Sequence, residues 1–360
     1  MSKAIAIVIA IIAVAAGSVA AFAVMNNGGN DDPEGSTVTV TDMLGEQVDV
    51  ERNPEHVACV SRTTYDLLVA FGLGDRIDGV YNTLLENEWT SILYPGSKDH
   101  YAYPYEPSHE LLIERNVDLV FCPEKYIADC LKEHGIAALN VSLYGNPDFS
   151  SYVFFLADLA EQLWPDVDGV KEKAETWKAE FKAIIDDVDE KIDSLSPESR
   201  TVYYVRGDKN KGINYTDTGK SFNEYIFDLL GLEFLGRELG TSKPSTEAIL
   251  EADPQVIVIG GNYQHTLRAL LDEGTWANIS AVKSGEIYRI GIGFSPMEQM
   301  GAFSPVFLAD MANKLYPETF HYDTAGMLKD MCQRYFGITL NDEQASYMLD
   351  GLGPDGKPMA

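Results

Sequence analysis

At 360 residues, 45% of them hydrophobic and 23% charged, the chain is long enough for about two domains and too apolar to be intrinsically disordered. Its 56 acidic against 27 basic residues leave a formal net charge of −29, which repels phosphate backbones and excludes a nucleic-acid partner. The four cysteines, Cys59, Cys122, Cys130 and Cys332, form no C-x-x-C pair, so a structural zinc site is not expected; buried free thiols are the first reading, and a Cys59–Cys122 bridge is the alternative if their strands adjoin in an oxidising compartment.

From Ala4 to Val24 the chain is an unbroken run of apolar or small residues. As a helix it would span about 31 Å, close to the hydrocarbon thickness of a bilayer. It reads as a membrane anchor or, with Lys3 before it and Ala21-Phe22-Ala23 at its end, as a cleavable signal. Either way the remainder is expected outside the cytoplasm, at a cell surface or in a periplasm. No cysteine follows the run, so a lipid-modified N-terminal cysteine is not expected. The sequons at Asn140, Asn214 and Asn278 fit an exported chain, although such triplets arise often by chance. Residues 1–25 are assigned to anchor or signal and 26–36 to a linker.

The alternating Thr37-Val38-Thr39-Val40-Thr41 and Gln47-Val48-Asp49-Val50 flank Asp42-Met43-Leu44-Gly45 and predict a β-hairpin. Short apolar runs then alternate with helical patterns: His56 to Val60 before Thr64 to Phe71, Ile77 to Val80, Val117 to Phe121 before Ile127 to His134, and Ala138 to Val141. Strands separated by helices of this length predict βαβ units and a mostly parallel sheet. Between 167 and 195, apolar residues recur every three or four positions, at Val167, Val170, Ala174, Trp177, Phe181, Ile184, Val188, Ile192 and Leu195. This predicts one amphipathic helix of about 43 Å, stopped by Ser196-Pro197. The βα rhythm resumes with Thr201 to Val205, a helix from Phe222 to Leu230, Val256 to Ile259 and Glu286 to Ile290. The expected domains are therefore an N-terminal α/β lobe over 37–165, a linking helix over 166–196 and a C-terminal α/β lobe over 197–360.

The two lobes share an internal repeat. Pro107-Ser108-His109-Glu110-Leu111-Leu112-Ile113-Glu114 precedes the strand at Asp118 to Phe121, and Pro244-Ser245-Thr246-Glu247-Ala248-Ile249-Leu250-Glu251 precedes Gln255 to Val258. In each copy a serine is placed to cap a helix whose first turn carries a glutamate.

With these features in order along the chain, the sequence resembles the class III periplasmic binding proteins of ABC importers, which take ferric siderophores, cobalamin or haem. The resemblance covers Thr37 to about Gly351. It rests on Thr39-Val40-Thr41-Asp42-Met43-Leu44-Gly45, Asn53-Pro54-Glu55-His56-Val57, the Ser61-Arg62-Thr63 turn, the two glutamate–helix–strand modules, the stretch Trp276 to Tyr288, Tyr316-Pro317-Glu318 and Tyr335-Phe336-Gly337. It implies an α/β fold of two Rossmann-like lobes joined by one long helix, and a ligand held between them at the C-terminal ends of the strands. Hinge motion should be small, because a continuous helix resists bending. It also implies that Glu110 and Glu247 dock onto arginines of a permease dimer driven by an ATPase; a carboxylate simply favoured at a helix N-terminus is the plainer reading. A monomer that binds a small molecule and needs no cofactor is expected.

Ligand contacts are expected in the loops after the strands: Ser61, Arg62 and Thr63; Tyr81; Lys125 and Tyr126; Arg206 and Tyr215; Tyr263 and His265; Phe294, Met297 and Glu298. Where the family often has a Trp-Asp pair, this chain reads Met297-Glu298, which leaves the ligand chemistry open. The cluster His100, Tyr101, Tyr103 and Tyr105 fits either a ferric or haem ligand or the packing of a loop. An iron complex is the first expectation; cobalamin, haem and a nickel or cobalt chelate are alternatives, as is a tethered sensor without transport. No G-x-S-x-G elbow, P-loop, G-x-G-x-x-G after a strand or H-E-x-x-H is present, so an enzyme is not expected.

Overall fold

Alternation builds the first element of the computed structural model, which describes residues 37–142, 149–208, 211–272 and 274–359. Strands β1 (Thr37–Thr41) and β2 (Gln47–Glu51) pair antiparallel, Val40 opposite Val48 and Val38 opposite Val50. Val40, Val48 and Val50 are buried while the threonines on either side of Val40 and the acids on either side of Val50 face solvent. Asp42 closes the turn, its Oδ1 accepting the Leu44 and Glu46 N–H groups at 2.9 and 3.0 Å.

Two parallel sheets follow. The first takes β3 (Val57–Cys59), β4 (Ile77–Tyr81), β5 (Tyr101–Tyr103), β6 (Leu119–Cys122) and β7 (Ala137–Asn140) in the order β5-β4-β3-β6-β7. The second takes β8 (Arg200–Val205), β9 (Leu232–Phe234), β10 (Val256–Ile259) and β11 (Ile287–Arg289) in the order β11-β10-β8-β9. β3, β6 and β10 are buried at every position, which is why they read as continuous apolar runs. β5 and β9 had no sequence signal: three residues each, they are set by a neighbouring strand rather than by any period of their own.

The longer helices are α1 (Arg62–Ala70), α2 (His109–Glu114), α3 (Lys125–Glu133), α4 (Phe155–Leu163), α5 (Val170–Leu195), α6 (Phe222–Leu229), α7 (Thr246–Ala252), α8 (Gln264–Leu271), α9 (Ser304–Leu315), α10 (Thr324–Met331) and α11 (Asp342–Leu349). The joining helix is α5, 26 residues, about 39 Å long. It starts three residues later than the apolar spacing predicts, because Gly169 takes a left-handed φ of 80° and Val167 belongs to the preceding turn. It stops where predicted, at Ser196, also left-handed, before Pro197. Val170, Ala174, Trp177, Phe181, Val188 and Ile192 form its buried stripe.

The chain after β11 ties the two sheets together. Asn87 Nδ2 donates to the Gly293 and Phe294 carbonyls at 2.8 and 2.9 Å, Trp89 Nε1 to the Leu352 carbonyl at 2.8 Å, and Trp177 Nε1 to the Ala302 carbonyl at 2.9 Å. The Ala302 N–H donates to Asp66 Oδ2 at 3.1 Å.

Two sequence expectations need correction. Cys59 pairs in register with Phe121, so Cys122, one residue further, points to the opposite face of the sheet; the two thiols lie in separate cores and all four cysteines are free. The Asn140 sequon lies at the end of β7 with its side chain buried, which leaves no access for a glycan. No helix among the described residues is long and apolar enough to cross a membrane; the Ala4–Val24 segment lies outside them.

Candidate ligand-binding site

β3 and β8 lie inside their sheets, and each delivers an arginine at or just past its C-terminal end. After β3 the chain turns at Ser61, whose N–H bonds the Phe121 carbonyl at 2.9 Å. Ser61 and Thr63 are buried and share a hydroxyl–hydroxyl hydrogen bond of 3.1 Å, so they shape the turn. Arg62, partly exposed, sets its guanidinium 5.1 Å from the ring centre of Tyr81 at the end of β4. Tyr81 meets Tyr105 edge to face at 5.6 Å, and the Tyr105 hydroxyl donates to Glu124 Oε1 at 3.1 Å.

After β8 the pattern repeats. The Arg206 guanidinium lies 4.8 Å from the ring centre of Tyr215, its Nη1 donates to the Tyr215 hydroxyl at 3.0 Å, and its Nε lies 3.1 Å from Asp217. Lys211 Nζ sits 3.9 Å from the same ring centre. Asp217 is buried and also accepts from Asn223 Nδ2 at 2.9 Å. Burial raises its pKa and the Arg206 charge opposes that. Sequence reasoning missed Asp217; a lone aspartate between two threonines carries no signal until the loop folds back beneath Arg206.

The other expected contacts fall in three groups. Phe294 and Met297 are core residues: the Phe294 ring packs against Tyr65 at 5.5 Å and Phe336 at 5.1 Å. Glu298 is buried beside the loop after β10; its Oε1 accepts the Gly261 N–H at 2.9 Å and the Tyr204 hydroxyl at 3.0 Å, and burial pushes its carboxyl up to about 7. Lys125, at the first residue of α3, points to the hairpin, pairing with Glu46 at 2.6 Å and Asp129 at 2.9 Å. Tyr126 is exposed and donates to Glu106, Tyr263 precedes α8 partly exposed, and His265 Nε2 lies 3.0 Å from the Asp350 carbonyl oxygen. The His100 cluster does not converge on one point. His100 bridges the Tyr65 hydroxyl and the Gly74 carbonyl, each at 3.2 Å, Tyr103 donates to Asp78, and Tyr101 covers Arg115 at 4.3 Å. Among the described residues no group of three His, Cys, Asp or Glu is placed to hold a metal ion.

The repeat glutamates occupy equivalent places. Ser108 Oγ caps α2 by accepting the Leu111 N–H at 3.3 Å, and Ser245 Oγ caps α7 by accepting the Ala248 N–H at 3.2 Å. Glu110 and Glu247 are exposed in the first turns, while Leu112 and Ile249 anchor the helices. Hydrogen bonds from its own backbone N–H and from Ser108 hold the Glu110 carboxyl below its ordinary range.

Two parallel sheets joined by a single long helix are also the architecture of solved relatives. MolA of Haemophilus influenzae bound to molybdate superposes with a TM-score of 0.68 at 17% identity, covering 84% of this chain and 99% of MolA. CeuE of Helicobacter pylori, in complex with Ni-His, gives 0.66 at 18% identity, covering 87% of this chain and 99% of CeuE. This is the class III periplasmic-binding-protein fold. Residues 167–291 match the family model described as Periplasmic binding protein. That segment contains α5 and the whole second sheet, so the match and the fold agree on the same elements. In sequence the chain is also similar to the uncharacterized ABC transporter substrate-binding lipoprotein YvrC of Bacillus subtilis (strain 168), 21% identical over 288 residues, which are 79% of this chain and 87% of that one.

Proposed function

We propose that this chain is the extracytoplasmic substrate-binding component of an ABC importer, that it takes an anionic metal chelate, a ferric complex first among them, and that it presents the loaded site to the permease through Glu110 and Glu247. One observation carries the substrate class: both lobes place an arginine on a tyrosine face at the C-terminal end of an interior strand, Arg62 on Tyr81 and Arg206 on Tyr215. A guanidinium held against a ring is suited to carboxylate, phenolate or hydroxamate oxygens. The rings supply apolar faces to a broad ligand. A net charge of −29 makes these local cations the more selective, since an anion gains nothing from the rest of the surface.

The relatives' ligands set the alternatives to be tested, an oxyanion as named for MolA and a nickel complex as named for CeuE. Melting of the full chain in mild detergent is measured against ferric citrate, a ferric tricatecholate, a ferric hydroxamate, haem, cobalamin, molybdate and nickel with histidine. A ligand at 100 times its dissociation constant adds about 2.7 kcal/mol to stability. Arg62→Ala and Arg206→Ala are each expected to weaken the ferric chelate by about tenfold or more. A tight hit whose affinity is indifferent to both arginines would remove the chelate assignment.

A further inference from the structure

Glu298 comes from the loop after β11, yet its carboxyl ends among the loops that follow β8 and β10. It is 2% exposed. Oε1 accepts from the Tyr204 hydroxyl of β8 at 3.0 Å and from the Gly261 N–H past β10 at 2.9 Å. Gly260 is packed onto that oxygen, and Gly207 onto Gly260: a Cβ on Gly260 would lie 2.4 Å from Oε1, and a Cβ on Gly207 would lie 1.7 Å from the Gly260 carbonyl oxygen. One carboxyl thus clamps the loop carrying Arg206 and the loop carrying Tyr263.

The second oxygen has a different environment. Oε2 is buried and has no hydrogen-bond partner among the described residues. A negative oxygen held dry without a donor is strongly disfavoured, and a neutral acid far less so. Tyr204 faces the carboxyl from β8, and Asp217 is a second buried carboxyl, which lies 3.1 Å from Arg206 Nε. Burial first, and the Asp217 charge with it, raise the Glu298 carboxyl to about 7, against the hydrogen bonds from Gly261, its own N–H and Tyr204.

We propose that Glu298 is a positioning residue which, in its neutral form, holds the loops after β8 and β10 in the ligand-binding arrangement, and which releases them when it ionises. The proposal rests on the reading that these loops face the ligand. Capture is then favoured in acidic surroundings and falls as pH rises through about 7, because the ionised Oε2 draws water into the clamp and Gly261 loses its partner geometry.

The test is the protection of the Gly261 amide against hydrogen exchange, measured by NMR on the full chain in detergent from about pH 4.5 to pH 8.5. Wild type is expected to lose protection by about tenfold per pH unit between the ordinary glutamate value near 4.5 and about 7, and to level off above 7. Glu298→Gln keeps an accepting oxygen and cannot ionise, so its protection factor should stay flat. Tyr204→Phe removes a donor that favours the ionised form and should move the wild-type midpoint to higher pH, which keeps the test open if the Gln variant fails to fold. A pH-independent protection factor in wild type overturns the proposal whatever binds. In parallel, ferric tricatecholate affinity is followed over the same range and should fall between about pH 5 and pH 7 in wild type but not in Glu298→Gln. A titrating Gly261 amide with no chelate bound at any pH would support the clamp and remove the substrate assignment. A titrating amide with pH-independent chelate affinity would overturn the coupling to capture.

Discussion

Asp66 is an acid in a place built for a neutral group. It lies on α1, 3% exposed, with Oδ2 accepting the Ala302 N–H across the lobe boundary and Gly301 so close that a Cβ would lie 2.2 Å from that oxygen. Burial pushes its carboxyl up to about 8, well above the ordinary 3.8. The folded chain therefore holds this proton more tightly than the unfolded chain does. The stability it contributes is complete below about pH 4 and is lost as pH rises through about 8, at about 1.4 kcal/mol per unit of difference. Asp66→Asn removes the titration and keeps the acceptor. Urea unfolding at pH 5 and pH 8.5 should show wild type losing several kcal/mol relative to the Asn variant between the two; parallel behaviour of the two proteins would mean that Asp66 is ionised and solvated in the native state. At Arg206 the case differs: its Nε lies 3.1 Å from the buried Asp217 carboxyl, whose pKa burial raises while the Arg206 charge opposes the rise.

Among the elements, α5 carries the most. Its stripe puts Trp177 between Phe71, Phe154 and Phe181, with ring centres 6.3, 6.3 and 5.5 Å away, and its indole N–H holds the Ala302 carbonyl. The same short loop is thus gripped from two sides, by Trp177 through its carbonyl and by Asp66 through its N–H. Trp177→Ala should cost about 3–5 kcal/mol, and Trp177→Phe about 1 kcal/mol, mostly the lost hydrogen bond. Equilibrium unfolding in urea at pH 7 measures both. Near-equal costs for the two variants would place the tryptophan's value in its N–H rather than in its packing.

At the scale of the whole molecule, Asn87, Trp89, Asp66 and Trp177 bond the N-terminal sheet and the long helix to residues 293–352. Buried bonds at that boundary, added to a continuous helix, oppose wide opening of the lobes. In the proposed docking onto a permease the two surfaces would keep their spacing, and Glu110 and Glu247 are exposed at equivalent positions of the two lobes. The two are not identical: His109 Nε2 lies 3.2 Å from Glu110 Oε1 and stacks on His134 with ring centres 3.7 Å apart, whereas Thr246 stands in the same place beside Glu247. The double variant Glu110→Ala with Glu247→Ala should abolish uptake in cells while leaving ligand affinity within about twofold, since rim charges set orientation and association rather than the ligand pocket. A large drop in affinity in the purified double variant would contradict docking as their role.

What the sequence alone determined is whatever period and chirality dictate locally. The hairpin, the longer strands, the helix through Trp177 and Phe181, and the repeated Pro-Ser-x-Glu modules were all legible, because apolar spacing and helix caps act within a few residues. The ligand side was legible only as a set of loops. How each of these side chains is placed was decided by tertiary structure: Arg62 and Arg206 find tyrosine faces, Lys125 pairs with Glu46, and Phe294 and Met297 are buried in the core. Strand β5 and strand β9, the opposite faces of Cys59 and Cys122, and the buried acids Asp66, Asp217 and Glu298 depend on register and on residues tens to hundreds of positions away. Burial is a property of the assembled molecule, and the charge state of a buried carboxyl follows from burial, so neither can be read from the order of the residues.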